Sequence, residues 1–286
     1  MLDVVVIIDS QINYGSDTPS SISTHGGGAA ANTASWLAYS GNQVFFVART
    51  GDDAAADAVT AELDFWGVSH KDFRQAGLKT GVVVVIVDET GQRTMFPDSG
   101  ANSGLDTSDL PELTGFDAAF ISGYSLFNKA SSAGVQRMIQ EISAAGIPIF
   151  FDPASVGTIS HFGKDKALAF LPLMNFVLLN EEEALYLSGA ESVEKALSFL
   201  NQYCDCVIIK TGSTGAIGST KNTPPIIAPT KAIKPIDTTG AGDAFAAGYI
   251  SAWIETADLL QAMSKGNALA ALCVANIGAR PSVNPS

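Results

Sequence analysis

The sequence predicts an α/β fold with a mainly parallel central sheet and a small antiparallel accessory sheet. Three observations carry this. Runs rich in Val, Ile and Phe alternate with alanine-rich helical stretches along most of the 286 residues, the rhythm of βα units. Asp88-Glu89-Thr90-Gly91 separates two β-rich runs and signals a hairpin rather than a crossover. Late in the chain, Asp237-Thr238-Thr239-Gly240-Ala241-Gly242-Asp243-Ala244-Phe245 turns through glycines straight into an alanine-rich segment of helical composition.

Taken in order, residues 2–8 form a continuous β-branched run, expected as a strand buried on both faces of the parallel sheet. Asp9, Gln11 and Asn13 follow at alternate positions and point the same way if the chain stays extended, beyond the strand end where such sheets bind ligands. They suit a polar loop surface as well. After a Ser/Thr-rich stretch, Gly26-Gly27-Gly28 permits close backbone approach, and the alanines that follow start a helix that carries Asn32 and ends at Gly41. Residues 43–48 read as a strand and 51–67 as a helix. The runs 82–87 and 93–96 make the hairpin, a candidate lid. Strands are then expected at 118–122, 147–152, 176–179 and 207–210, with helices at 131–145, 181–188 and 193–202. Residues 224–229, bounded by prolines, read as an edge strand, and 259–275 as a closing helix.

A composition of 47% hydrophobic and 16% charged residues suits a large globular core, in one α/β domain with an excursion or in two domains. The net charge of −13 argues against nucleic acid or an anionic membrane as partner. Cys204, Cys206 and Cys273 form no CxxC pair, so a reducing cytoplasm is expected, and the Cys-x-Cys spacing fits one face of a strand. No signal-peptide pattern opens the sequence, and no apolar run reaches the ~20 residues that span a bilayer. The histidines at 25, 70 and 161 are scattered, which leaves zinc hydrolysis without support, and no Gly-x-Ser-x-Gly elbow is present.

The glycine turn at 240–242 is where chemistry enters. It lacks the Lys of a P-loop, and Phe245 stands where a dinucleotide fingerprint wants glycine. Free N–H groups at the start of a helix favour an anion, and Asp243 in the first turn is placed to take a proton from a hydroxyl. Cradle and base suggest phosphoryl transfer to an alcohol; on these residues alone an ordinary helix start explains the turn equally well. Asn180 and Glu183 can share a helix face and hold a metal-bound water, although acidic residues at 181–183 are also ordinary helix-start chemistry. Lys210-Thr211-Gly212-Ser213-Thr214-Gly215 is a strand followed by a glycine turn, a weak signal by itself.

Gly27-Gly28-Ala29-Ala30-Ala31-Asn32-Thr33-Ala34, continuing to Gly41 and Gly51, together with residues 237–250, resembles the paired signatures of the ribokinase-like (PfkB) carbohydrate kinase family. Between them, in the family's order, stand Gly91-x-Arg93-Thr94, Gly100-Ala101-Asn102, Asp152-Pro153, Asn180-x-x-Glu183 and Lys210-x-Gly212-x-x-Gly215, with Gly278-Ala279 near the end. The resemblance implies a three-layer α/β/α sandwich, a single ribokinase-like domain over residues 1–286 with lid segments at about 10–25 and 80–98. It implies ATP as phosphoryl donor, Mg²⁺, and K⁺ as a further expectation. Asp243 matches the base, and Gly240, Ala241 and Gly242 the anion hole. Asp9, Asn13, Gly27, Gly28, Asn32 and Arg93 match substrate positions. Asn180, Glu183, Lys210, Thr211, Gly212, Gly215, Gly242 and Asn267 fall to the nucleotide and its magnesium, with Glu183 acting through water. Asp237, Thr239, Cys273, Asn276, Gly278 and Ser282 match ligands of a monovalent cation. The expected reaction is phosphorylation of a hydroxymethyl group of a small unphosphorylated sugar or sugar acid. A nucleoside kinase is the alternative, and a non-catalytic sugar-binding protein the third reading. A homodimer through the lid is a further family expectation.

Departures from the family pattern qualify this. Ile8 replaces a glycine before Asp9, and Asn13 stands where a second acid is common. Ala29 replaces a lysine often present in ribokinase and the sugar-phosphate kinases, which favours a substrate without phosphate. Ser155-Val156-Gly157 lacks the arginine that usually follows Asp-Pro, which weakens the case for Asp152.

Overall fold

The computed structural model describes residues 1–71 and 73–281. Its six-stranded sheet runs, edge to edge, Ile226–Pro229, Gly215–Thr220, Cys206–Lys210, Phe176–Asn180, Ile149–Asp152, Ala119–Ser122. The last four are mutually parallel, and the first two are antiparallel additions. The Pro-bounded strand lies at the edge, where a missing N–H costs no ladder bond.

Side chains alternate across a strand, and here both faces are apolar. Ile149, Phe151, Val177, Leu179, Val207 and Ile209 pack with Val135, Ile139, Leu187 and Leu197, from helices Ser132–Ala144, Glu181–Ser188 and Val193–Leu200. Phe150, Phe176, Leu178, Cys206 and Ile208 face the other way, onto Phe245, Tyr249 and Met263 of helices Ala241–Thr256 and Leu259–Val274. Helices on both faces give the three-layer α/β/α arrangement. Cys204 joins the first cluster and Cys206 the second, so the two thiols do not share a face. Cys204 precedes the strand, where the period of two does not yet hold.

The first strand is a correction. Leu2–Ile7 belongs to a separate four-stranded sheet, ordered Ser21–Gly26, Leu2–Ile7, Thr80–Val87, Arg93–Gly100. It pairs antiparallel with the first of these and parallel with the third. An apolar β-branched run does not by itself distinguish two-sided from one-sided burial; here Ile7, Ile22, Met95 and Phe96 are exposed. Strand Ser21–Gly26 was hidden by its polar sequence, and Gly215–Thr220 by its small residues. Helices Val156–Phe162 and Lys164–Phe170 were not anticipated either.

Within residues 43–48 only Phe45–Phe46 forms a ladder, with Ser69–His70. A cavity of about 450 Å³ lies between this segment and Ala119–Ser122, lined by Leu37, Phe45, Phe116, Phe120, Val135 and Ile250 among others. Among the described residues no helix is long and apolar enough to cross a membrane.

Candidate active site

Three neighbouring parallel strands end on polar residues: Asp152, Asn180 and Lys210. Adjacent parallel strands bring these ends together at the carboxyl edge of the sheet. Lys210 Nζ donates to Asp152 Oδ2 at 2.7 Å. Burial works against the ammonium, but Asp152, Glu183 and Asp243 more than offset it and raise the Lys210 pKa. The Asp152 turn is tight: Ala154 N donates back to Asp152 Oδ1 at 2.9 Å, and Ala154 sits at φ 82°, a conformation that strains an alanine.

Asn180 caps the helix Glu181–Ser188 reciprocally. Its Oδ1 accepts from Glu183 N at 2.8 Å, while the Glu183 carboxylate accepts from Asn180 N at 2.9 Å and Asn180 Nδ2 at 2.6 Å. Glu183 is 1% exposed, and burial, followed by the Asp152 charge, pushes its pKa up to about 7.

The glycine turn meets this edge from the other side. Gly240, at φ 76°, caps the helix Ala241–Thr256, and a Cβ there would come within 2.6 Å of the Ala279 backbone, so conformation and space both demand glycine. A Cβ on Gly242 would lie 3.3 Å from Lys210 Nζ, which sets that ammonium beside the helix start. First-turn N–H groups have no intrahelical acceptor, and they open here next to Lys210. Asp243 accepts from Asn32 Nδ2 at 2.9 Å. Burial pushes its pKa up to about 7; the Asn32 hydrogen bond and Lys210 oppose the rise, and Asp152 adds to it.

Asn32 is carried by helix Ala29–Tyr39, whose N-cap, Gly28, has φ 92°. A Cβ on Gly27 would overlap the Asp3 carboxylate. Asp3 Oδ1 is buried with no hydrogen-bond partner among the described residues, and burial raises its pKa.

Asp237, at the start of the turn, is held by hydrogen-bond donors. Its Oδ1 accepts from Thr239 N at 2.8 Å, Thr239 Oγ1 at 2.7 Å and Arg93 Nη2 at 2.6 Å, and its Oδ2 accepts from Gly278 N at 3.0 Å. Burial works against ionisation, yet these bonds outweigh it and bring the pKa to about 2. The buried Cys273 thiol donates to Thr239 O at 3.3 Å, and burial pushes its pKa up to about 12.

A three-layer fold with a half-buried carboxylate at a glycine-started helix is thus in place, and residues 4–286 match the model of the pfkB family of carbohydrate kinases. The chain belongs to this family. It is a phosphotransferase, a sugar or nucleoside kinase of the PfkB family. The ATP-dependent ribose-1-phosphate kinase of Halopiger xanaduensis is 29% identical over 257 residues, covering 89% of this chain and 82% of the relative. Fructokinase from Vibrio cholerae, solved with fructose, ADP and calcium, is 26% identical at TM-score 0.78, covering 97% of this chain and 92% of that one. Adenosine kinase from Sinorhizobium meliloti superposes at TM-score 0.88 with 22% identity, over 99% and 94% of the two chains, and shares the fold.

Not every residue expected at the PfkB site gathers there. Leu2 pairs with Gly26 and Ile7 with Ser21, so Asp9 and Asn13 lie beyond the far end of the strand, Asp9 already about 20 Å of extended chain from Asp3. Both are exposed, and Asn13 holds its own loop by donating from Nδ2 to Asp17 O. Asp3 is the carboxylate on the near side, and sequence reasoning missed it; its signal was an acid inside a β-branched run. Arg93 is spent on Asp237. Asn267 is buried and donates to Ala228 O at 2.8 Å, tying its helix to the edge strand. Asn276 donates to Leu272 O at 2.9 Å. After Lys210, Thr211 N donates to Gly215 O at 2.8 Å, with Gly212 at φ 61° and Gly215 at φ 109° closing a tight loop. Ser282 lies outside the described residues.

Proposed function

We propose that this PfkB kinase transfers the γ-phosphoryl group of ATP to a hydroxymethyl group of a small unphosphorylated sugar or sugar acid, with Asp243 as the base. The observation that carries this is the setting of Asp243: a first-turn carboxylate, bonded to Asn32, with a pKa near 7 and Lys210 close by. In this reading the substrate hydroxyl gives its proton to Asp243 as its oxygen attacks the γ-phosphorus, and ADP leaves. The N–H groups of Gly240, Ala241 and Gly242 stabilise the charge that spreads over the transferred oxygens, each donor worth ~3 kcal/mol by analogy with oxyanion holes. Lys210 and the loop Thr211 to Gly215 hold the nucleotide. Asn32 and Asp3, beside Gly27 and Gly28, orient the sugar.

The carboxylates of half-buried Asp152 and buried Glu183 lie near Lys210 and suit a hard cation held chiefly through water and donor phosphates, as Mg²⁺ prefers. Bound there, Mg²⁺ would offset charge on the phosphates. K⁺ fits less well: the Asp237 carboxylate already accepts from Arg93, Thr239 and Gly278, so no step is assigned to a monovalent cation. The four-stranded sheet is proposed as the lid of a single kinase domain, and its exposed Ile22, Met95 and Phe96 suit pairing with a second copy.

Charge pairing supports a substrate without phosphate. Arg93 is paired with Asp237 and Arg280 with Glu62, and Lys210, paired with Asp152, is assigned to the nucleotide, so none of these three cations is set aside for a second phosphate. ADP release measured with ribose, fructose, ketodeoxygluconate, ribose 1-phosphate and adenosine, with and without K⁺, tests the reading. Turnover is expected with a free sugar or sugar acid. Preference for ribose 1-phosphate would overturn the substrate class, preference for adenosine would select the nucleoside kinase, and turnover with none would favour a binding protein.

A further inference from the structure

We propose that Arg280 is a positioning residue whose guanidinium fixes the side-chain amide of Asn32 so that its NH₂ group faces Asp243. This rests on the proposed role of Asp243 for its functional meaning, but its geometry stands apart from that role. Arg280 Nε donates to Asn32 Oδ1 at 3.3 Å, and Asn32 Nδ2 donates to Asp243 Oδ2 at 2.9 Å. An amide has one accepting and one donating end, a guanidinium can only donate, and an ionised carboxylate can only accept. The two neighbours therefore select one of two orientations. The flipped amide would set NH₂ against guanidinium and oxygen against carboxylate.

Arg280 is itself anchored well enough to impose that choice. Its side chain is 8% exposed. Nη1 donates to Glu62 Oε2 at 2.7 Å, and Nη2 to Gly27 O at 3.4 Å. The other Glu62 oxygen accepts from Gly26 N at 2.7 Å, so helix Ala54–Phe65 holds both the guanidinium and the glycine run. The neighbouring backbone is fixed from the opposite side, where Trp36 Nε1 donates to Ala279 O at 3.0 Å. A Cβ on Gly26 would overlap Arg280, so that glycine makes room for the guanidinium. The other charges around it are Asp3 and Asp243. The C-terminal segment thus reaches the proposed base through one amide, although Arg280 does not touch it.

The test reads the Asn32 amide directly, in the unliganded protein, by NMR with ¹⁵N-labelled asparagine, assigned by its loss in Asn32→Ser. In the wild type the NH₂ resonances are expected to shift with pH around 7, following Asp243. Arg280→Lys keeps the cation but not the planar donor, and Arg280→Met with Glu62→Gln removes the pair without leaving a buried charge behind. In both, the pH response of the amide is expected to shrink by half or more. With ATP and ribose or fructose, whichever the wild type turns over, kcat is expected to fall about 10-fold, one pKa unit's worth of base stabilisation, at unchanged KM for ATP. An unaltered amide titration in Arg280→Lys would overturn the proposal. A rise in KM for ATP at constant kcat would also overturn it, by assigning Arg280 to general folding of the pocket. Full turnover in Asp243→Asn would instead sink the base assignment while the amide result stood.

Discussion

Asp237 and Asp243 open and close the same glycine turn, and the fold treats them in opposite ways. Asp237 accepts from Arg93, from the Thr239 backbone and hydroxyl, and from Gly278 N, and its pKa falls to about 2 despite burial. Asp243 has the Asn32 amide as its side-chain donor, and burial lifts it to about 7. Both carboxyls lose hydration; at Asp237 the donors outweigh that loss, whereas at Asp243 deeper burial and the Asp152 charge outweigh the Asn32 donor and Lys210. An ionised, fully bonded carboxylate anchors a turn; one poised near neutral pH can accept a proton.

The sharpest way to break this contrast is to remove each acid in turn. Asp243→Asn is expected to cut turnover ~10²- to 10⁴-fold, the span of general-base loss, while nucleotide binding measured by calorimetry stays within about twofold. Gly240→Ala comes next. It places a Cβ on the Ala279 backbone at a left-handed φ, so a rate loss of ~10²-fold or more, as when an oxyanion-hole donor is displaced, should accompany a fall in melting temperature. Asp237→Asn should act on stability more than on chemistry, costing about 1–3 kcal/mol at pH 7 in denaturant unfolding because buried donors lose their charged acceptor. Arg93→Ala is the mildest, a partly exposed pair worth up to about 1 kcal/mol.

Stability against pH separates the two acids by sign. The Asp243 pKa is raised on folding, so its contribution is fully present below the ordinary carboxylate range and is lost as pH rises through about 7. Asp243→Asn should therefore melt higher than wild type at pH 8 and gain little at pH 4. The Asp237 pKa is lowered, so its contribution holds above the ordinary range and is lost as pH falls towards 2. Differential scanning calorimetry of both variants across pH 2 to 8 checks both signs.

Much of this was legible in the sequence, for physical reasons that also mark where legibility ended. The strands that end in Asp152, Asn180 and Lys210 are buried on both faces, and such strands announce themselves as apolar runs. Helix Glu181–Ser188 was readable from the acidic residues of its first turn, just after the strand that ends in Asn180; its capping box emerged only in the structure. Leu2–Ile7 showed the same apolar run but belongs to the four-stranded sheet, since composition does not name a strand's partners. That error moved attention to Asp9 and Asn13 and away from Asp3. The Arg93–Asp237 pair joins residues far apart in the chain, and nothing local encodes it. Arg280 escaped notice for the same reason, since its partners Glu62, Gly27 and Asn32 all come from the first quarter of the chain.

The contrast between the two carboxyls can be measured without knowing the acceptor. A ¹³C NMR titration of the aspartate carboxyls in the unliganded protein, assigned with Asp243→Asn and Asp237→Asn, reads both at once. Asp243 is expected to titrate near pH 7 while Asp237 stays ionised down to about pH 2. An Asp243 carboxyl titrating near the ordinary value of about 4 would contradict its assignment as a base poised for neutral pH.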